Sequence, residues 1–310
     1  EKIVISEFSV QNDSVIIRLP VFKDEIKARF ATNDSITGEY IHFGSKSKYS
    51  IPFYAKFGRT ERFENEKEKP AMDITGRWET TVQPGDSDQY TIIGEFEQNG
   101  NHLTGTFLTS SGDYRFLEGM VSGNKVMMSR LDGSHTMLIK ADISKDGTLE
   151  NGVLIGSPTW KEKWRAVRNE KIELPDEEKL SAVKEGTKKI EFSFLDLSGR
   201  KVSLSDEKYK NKIIVVQIMG SWCPNCMDET RFFSEIYDNY NTKGIEFIGL
   251  CFESGNFEES RLRIERFINQ LGAKGDYLYA GEAGKNNIFK TLPFMNEFKG
   301  YPTTIYLDRN

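Results

Sequence analysis

The hydrophobic positions of this chain follow two different periods. From Glu1 to about Arg168, apolar and polar residues alternate over short stretches such as Tyr90 to Glu97 and Lys125 to Arg130, the period of half-buried strands. Asn99-Gly100, Ser122-Gly123, Asp132-Gly133 and Asp146-Gly147 separate them and supply the positive φ that tight hairpin turns demand. This is the pattern of an antiparallel meander. Between Ile74 and Arg168 the turns recur at roughly the 8 to 12 residues of a sandwich or barrel, enough for about eight strands. Residues 1–70 open on the β-patterned Lys2 to Val10 and are expected to add strands whose partners lie partly upstream.

The texture changes after Arg168. Asn169 to Lys189 is rich in Glu and Lys, contains Pro175, and reads as a linker with one short helix. Beyond it, apolar strand runs at Ile213 to Met219 and Ile245 to Cys251 alternate with helical patterns at Cys226 to Tyr240 and Phe257 to Leu271. That alternation predicts a β/α layer architecture. The expected division is a β-rich domain over 1–170, with an eight-stranded barrel-like meander at 74–168, a linker over 171–190, and an α/β domain over 191–310.

Composition narrows the function classes. The 310 residues are 37% hydrophobic and 29% charged with a net charge of -5, which fits two packed domains and gives no electrostatic reason to bind nucleic acid. Acid clusters at Glu61 to Glu68 and Asp176 to Glu178 read as solvated surface. No apolar run approaches the roughly 20 residues that span a bilayer. The chain begins at Glu1 without a methionine, so any export signal or membrane anchor would lie upstream. Three cysteines make no disulfide framework; they read as one working pair and a spare, Cys251, a small buried hydrophobe at a strand end.

The working pair sits where its chemistry is favoured. The apolar run Ile213 to Met219 ends at Gly220-Ser221-Trp222, Cys223 follows, and a helix starts at Pro224, which suits a first turn that needs no N–H. Phe232, Phe233, Ile236 and Tyr240 are expected to form the buried face of that helix. A thiolate at a helix N-terminus is stabilised by unpaired N–H groups and the positive dipole end, and its pKa can fall from about 8.5 to roughly 3.5–7.5. Cys223 thus reads as the attacking thiol and Cys226, one turn inward, as the resolving one. No cofactor is called for beyond the Cys223–Cys226 pair.

Trp-Cys-Pro-Asn-Cys after an apolar strand, preceded by Asp196-Leu197-Ser198-Gly199-Arg200-Lys201-Val202-Ser203-Leu204 and followed by Gly300-Tyr301-Pro302-Thr303-Thr304, resembles the TlpA/ResA-like branch of the thioredoxin superfamily. The resemblance runs from about Phe192 to the end. It implies that 191–310 is a thioredoxin-like domain, that Pro302 is a cis-proline facing the disulfide, and that the Tyr301 backbone pairs with a substrate chain. Trp222, Pro224 and Asn225 complete the implied substrate side. Glu229 aligns with a carboxylate that assists proton movement at the inner thiol; a solvated first-turn Glu is its other reading. Gln217 stands where thioredoxin has a buried Asp, so no acid there can take the proton. The family fold also closes with a strand and helix after Thr303 to Leu307, so the domain is expected to be truncated. By the same resemblance the protein is a reductant of protein disulfides in the periplasm or cell envelope, often acting on apocytochrome c or other oxidised thiols and recharged by a membrane redox partner.

Other readings stand beside this one. Cys223 and Cys226 could be half of a zinc site, but the remaining candidates are Cys251 and His42, His102 and His135, which show no metal spacing. A thiol peroxidase needs a Pro-x-x-x-Thr-x-x-Cys arrangement that Gln217 to Trp222 lacks. A third reading makes the β region a binding or docking module, with the redox domain as its accessory. Ile74-Thr75-Gly76-Arg77-Trp78, with Trp164 and Arg165 at the far end, resembles the barrel-closing Trp and Arg of the calycin group; a Trp buried in any β core fits equally. Ile36-Thr37-Gly38-Glu39-Tyr40 also resembles Leu103-Thr104-Gly105-Thr106-Phe107, each with a Tyr-led strand after it, at Tyr49 or Tyr114.

Overall fold

The computed structural model describes residues 3–44, 48–60, 62–63, 68–175 and 181–309. Lys2, most of the Glu61 to Glu68 acid cluster, Asp176 to Glu178 and the centre of the expected linker helix lie outside the described residues. The chain divides into two compact units, Glu1–Leu174 and Pro175–Asn310.

In the first unit, β1 (Glu7–Gln11), β2 (Ser14–Arg18), β3 (Glu25–Thr32), β4 (Ser35–Phe43) and β5 (Lys48–Lys56) form a five-stranded antiparallel meander in sequence order. The strands of this region pair with one another. Nine further strands follow: β6 (Gly76–Val82), β7 (Tyr90–Asn99), β8 (His102–Thr109), β9 (Gly112–Asp113), β10 (Leu117–Ser122), β11 (Lys125–Leu131), β12 (Thr136–Ile143), β13 (Leu149–Ile155) and β14 (Lys161–Arg168). Consecutive pairing, β14 on β6 and β10 on β8 close eight of them into a barrel, with the two-residue β9 as a spur on β8. Closure removes the free edges that an open sheet would expose. The echo between the ITGEY and LTGTF segments is partial, because Tyr49 lies in β5 whereas Tyr114 falls between β9 and β10.

Side chains fill the barrel. Trp78, Phe107, Leu103, Leu117, Met128, Ile139, Leu154 and Trp164 are buried within it, and the Phe107 and Trp164 rings meet edge to face at 5.7 Å. Gly152 makes room: a Cβ there would sit 2.4 Å from Trp164 Cδ2. The Trp78 indole N–H donates to the Ile74 carbonyl at 2.8 Å. The arginine over its ring is Arg168, not Arg165. Along β14, Trp164 and Ala166 face inward and Arg165 outward, so parity sends the next inward position to Arg168. Its guanidinium lies 4.7 Å from the Trp78 ring centre and donates to the carbonyls of Asp73 and Thr75.

The second unit holds β15 (Ala182–Val183), β16 (Ser193–Asp196), β17 (Lys201–Ser203), β18 (Ile213–Met219), α1 (Pro224–Asn241), β19 (Ile245–Glu253), α2 (Phe257–Leu271), β20 (Asp276–Glu282), α3 (Lys285–Thr291), β21 (Met295–Glu297) and β22 (Thr303–Leu307). Six of these form one sheet in the order β17-β16-β20-β19-β18-β22. The centre is parallel, β18 with β19 and β19 with β20, and β22 lies antiparallel to β18. Among the described residues β22 pairs with β18 alone and stands at the sheet edge. In the described part of 169–190 there is no helix, and β15 pairs with β21.

One helix face differs from expectation. Phe233 is buried in α1, but Phe232 is 56% exposed and Tyr240 41% exposed. The inward face runs through Cys226, Met227, Thr230, Phe233 and Ser234, at the three- and four-residue spacings of one helical face. At about 100° per residue Phe232 falls nearly opposite the centre of that face, whereas Phe233 lies on its border.

Candidate active site

The site stands at the C-terminal end of β18, where an open α/β sheet gathers its functional loops. β18 is buried on both faces, and its last residue, Met219, leads through Gly220-Ser221-Trp222 to Cys223, the N-cap of α1. Pro224 fills the first helical position. Cys223 and Cys226 are joined as a disulfide with Cα atoms 5.2 Å apart. Cys223 is 5% exposed and Cys226 fully buried, so the outer sulfur is the one a partner reaches first. The backbone N–H of Cys226 points at Cys223 Sγ from 3.1 Å, a donor placed to stabilise negative charge there. Among the described residues no group of three or more His, Cys, Asp or Glu is arranged to hold an ion.

The opposite wall comes from the loop before β22. The Tyr301–Pro302 bond is cis, and the Tyr301 carbonyl oxygen lies 3.7 Å from Cys223 Sγ. Trp222 meets the Tyr301 ring edge to face at 5.2 Å and donates its indole N–H to the Phe252 carbonyl at 3.0 Å. Phe298 also meets the Tyr301 ring edge to face, at 5.0 Å. Asn225 is half-buried in the first turn of α1. These contacts bring Cys223, Cys226, Trp222 and Tyr301 together, with Pro224, Asn225 and Pro302 as their neighbours along the chain.

Glu229 is half-buried and belongs to this cluster. Gln217 Nε2 donates to its Oε2 at 2.7 Å and Thr304 Oγ1 to its Oε1 at 2.8 Å. Burial pushes its pKa above the ordinary carboxylate value, while the bonds from Thr304 and Gln217 pull the other way. A raised folded pKa means that the stability this group contributes is fully present below the ordinary 4.5 and is lost as pH climbs through the raised value. Chemical denaturation across that window should show stability falling with pH in the wild type, and a flatter profile for Glu229→Gln.

Sequence reasoning missed Glu253, at the end of β19 and fully buried. Its Oε1 accepts from the Ser221 N–H at 2.6 Å, its Oε2 from the Ser221 hydroxyl at 2.9 Å, and Arg263 Nε lies 3.3 Å from Oε2. This carboxylate pins the loop that carries Trp222 and Cys223. Burial raises its pKa against the pull of Ser221 and Arg263. Glu253→Ala strands a nearly buried guanidinium and should cost about 3–5 kcal/mol of stability in urea unfolding; a loss below about 1 kcal/mol would show that the clamp carries nothing. The sequence signal was a lone acid closing an apolar strand.

Cys251 is wholly buried, and burial pushes its thiol well above the ordinary value, as suits a small hydrophobe. The histidines stay in the first unit. His42 Nδ1 sits 2.8 Å from Asp24 Oδ2, its ring 6.1 Å from that of His135, and His102 Nε2 is 3.0 Å from Glu118 Oε1.

With this geometry in view, comparison with known proteins shows what the second unit is similar to. Residues 184–310 match the family described as Redoxin. The C-terminal unit thus carries a Redoxin-type, thioredoxin-like domain that is similar to the ResA proteins. The thiol-disulfide oxidoreductase ResA of Bacillus anthracis is 33% identical over 99 residues, covering 32% of this chain and 51% of the relative. ResA of Geobacillus kaustophilus is 27% identical over 130 residues, covering 42% and 67%. The chain thus spans about half the length of the first of these relatives. Among solved structures, the thioredoxin domain of a thiol-disulfide oxidoreductase from Bacteroides vulgatus aligns with a TM-score of 0.32 at 18% identity, covering 41% of this chain and 84% of that one. A thiol:disulfide interchange protein from Bacteroides sp. aligns with a TM-score of 0.32 at 22% identity, covering 42% and 74%. In this ResA-like domain the barrel has no counterpart within the matched residues, and no described helix of either unit is long and apolar enough to cross a membrane.

Proposed function

We propose that the chain is a thiol-disulfide oxidoreductase that reduces protein disulfides outside the cytoplasm. The observation that carries the reading is the Cys223–Cys226 disulfide at the start of α1, its outer sulfur beside the Tyr301 carbonyl. In the reduced protein the Cys223 thiolate attacks one sulfur of a substrate disulfide, and the substrate S–S bond breaks to release one thiolate. Cys226 then gives up its proton, with Glu229 as acceptor, and attacks Cys223 Sγ. The bond to the substrate breaks, the second thiolate leaves, and the protein is oxidised by two electrons to the form seen here. An external dithiol, supplied by a membrane redox partner, restores it. The disulfide itself carries the electrons, so no added cofactor enters the cycle.

Pro302, Tyr301, Trp222, Pro224 and Asn225 serve as the substrate-facing wall, with the Tyr301 backbone offered to an extended substrate chain. Work in the periplasm or cell envelope, including reduction of the apocytochrome c disulfide to its two thiols, is the reading that the TlpA/ResA-like resemblance of the domain supports. The filled barrel supports a role for the outer surface of the β unit in recruiting the substrate, rather than for its interior in holding a ligand. Two measurements test the proposal. The full chain should accelerate insulin reduction by dithiothreitol, and no acceleration would refute the activity. A membrane-impermeant maleimide should label reduced Cys223 in intact cells; labelling only after lysis would refute the location.

A further inference from the structure

We propose that Glu229 exchanges its proton at Oε1 alone, with Thr304 as the hydroxyl partner that turns from donor to acceptor and Gln217 as the amide that keeps Oε2 an acceptor throughout. This deepens the function proposed above and rests on it.

The argument starts from register. Gln217 on β18 stands directly opposite Thr304 on β22, and directly opposed residues of an antiparallel pair point to the same face. Both side chains therefore meet the first turns of α1, where Glu229 lies. The orientation of the Gln217 amide is fixed by its other contacts. One neighbour is the Cys226 carbonyl, 3.2 Å away, which can only accept; the other is the Thr230 hydroxyl, 2.9 Å from Oε1. Turning the amide over would set oxygen against the Cys226 carbonyl oxygen, so the NH₂ must face Cys226 and Glu229. Its two hydrogens are then both committed, one to the Cys226 carbonyl and one to Glu229 Oε2. An NH₂ group cannot accept, so a proton on Oε2 would collide with it.

Thr304 is different in kind. A hydroxyl has one hydrogen and two lone pairs, and rotation about its C–O bond converts a donor into an acceptor. While Glu229 is ionised, Thr304 Oγ1 donates to Oε1. When the Cys226 S–H yields its proton, that proton settles on Oε1, the Thr304 hydrogen turns away, and its oxygen accepts the new O–H. Cys226 meanwhile forms its bond to Cys223, and the Cys223–substrate bond breaks. The side chains bonded to Glu229 are Gln217 from β18 and Thr304 from β22, and the Gln217 amide also donates to the Cys226 carbonyl on the same helix as Glu229. No charged side chain is among the causes of its raised pKa. Thr304 is a positioning residue here, and it stands two places after Pro302, on the strand that leaves the substrate wall.

The test uses the full chain with ¹³C-labelled Glu side chains, followed by NMR against pH, the Glu229 signal being assigned by its loss in Glu229→Gln. Thr304→Val keeps the shape and removes the hydroxyl; it should raise the Glu229 midpoint by about one pH unit or more. Thr304→Ser should restore the wild-type midpoint. An unmoved midpoint in Thr304→Val, or an equal shift in Thr304→Ser, overturns the proposal. A second readout needs no variant at Thr304: in the wild-type minus Glu229→Gln infrared difference spectrum at low pH, the protonated acid should show the lowered C=O frequency of a hydrogen-bonded Oε2. A free-carbonyl frequency overturns it. The titration does not depend on turnover, so inactivity toward insulin would sink the proposed function while leaving this result readable, and the reverse pattern would sink the Thr304 assignment alone.

Discussion

Cys223→Ser should abolish disulfide reduction, leaving only the rate of free dithiothreitol, whereas Cys226→Ser should hold the reaction halfway. The asymmetry follows from burial. The outer sulfur is slightly exposed, receives the Cys226 N–H and lies beside the Tyr301 carbonyl, while the inner one has no access to solvent. A chain with only Cys223 can still attack a substrate disulfide but has no second thiol to resolve the product. Non-reducing electrophoresis of Cys226→Ser after exposure to oxidised substrate should show a mixed disulfide that dithiothreitol dissolves. The converse variant should trap none. Equal trapping by both variants would mean that either sulfur can meet the substrate, against the burial seen here.

Within the β unit the largest stability effect is expected at Trp164. Its side chain fills the barrel against Phe107, and Gly152 opposite leaves no Cβ to collapse into the space it would vacate. Trp164→Ala should cost about 3–5 kcal/mol, read as a lowered urea midpoint of the β unit. Trp164→Phe should cost less. The indole N–H is buried with no hydrogen-bond partner, so removing it relieves a desolvation penalty while most of the ring packing remains. If Phe proved as damaging as Ala, loss of volume at this site would not be what destabilises the barrel.

Local periodicity made the strands and helices legible, and chain-distant register was what it could not reach. The run Ile213 to Met219, the helix Phe257 to Leu271 and the strand Thr303 to Leu307 appear in the structure with the bounds their patterns predict, because each is set by its own turn signals and apolar spacing. The eight-stranded closure followed from regular turns. The choice of Arg165 failed because proximity to Trp164 in sequence says nothing about which face of β14 points inward at the barrel end. Phe232 failed similarly, since it points away from the face of α1 that Cys226, Thr230 and Ser234 define. Glu229 was visible only through its offset from Cys226. Its partners Gln217 and Thr304 meet because β18 and β22 pair in one register, and Ser221 meets Glu253 because β18 and β19 end side by side. No window of sequence contains either pair.

The central claim is that Cys223 and Cys226 cycle reversibly between dithiol and disulfide under working conditions. It is tested most directly by titrating the full chain against glutathione or dithiothreitol redox buffers and following thiol content. The account predicts one two-electron transition per chain with a midpoint between about -270 and about -120 mV, carried by Cys223 and Cys226 and absent from Cys223→Ser. A midpoint below about -300 mV, the range of disulfides that serve structure alone, would contradict it.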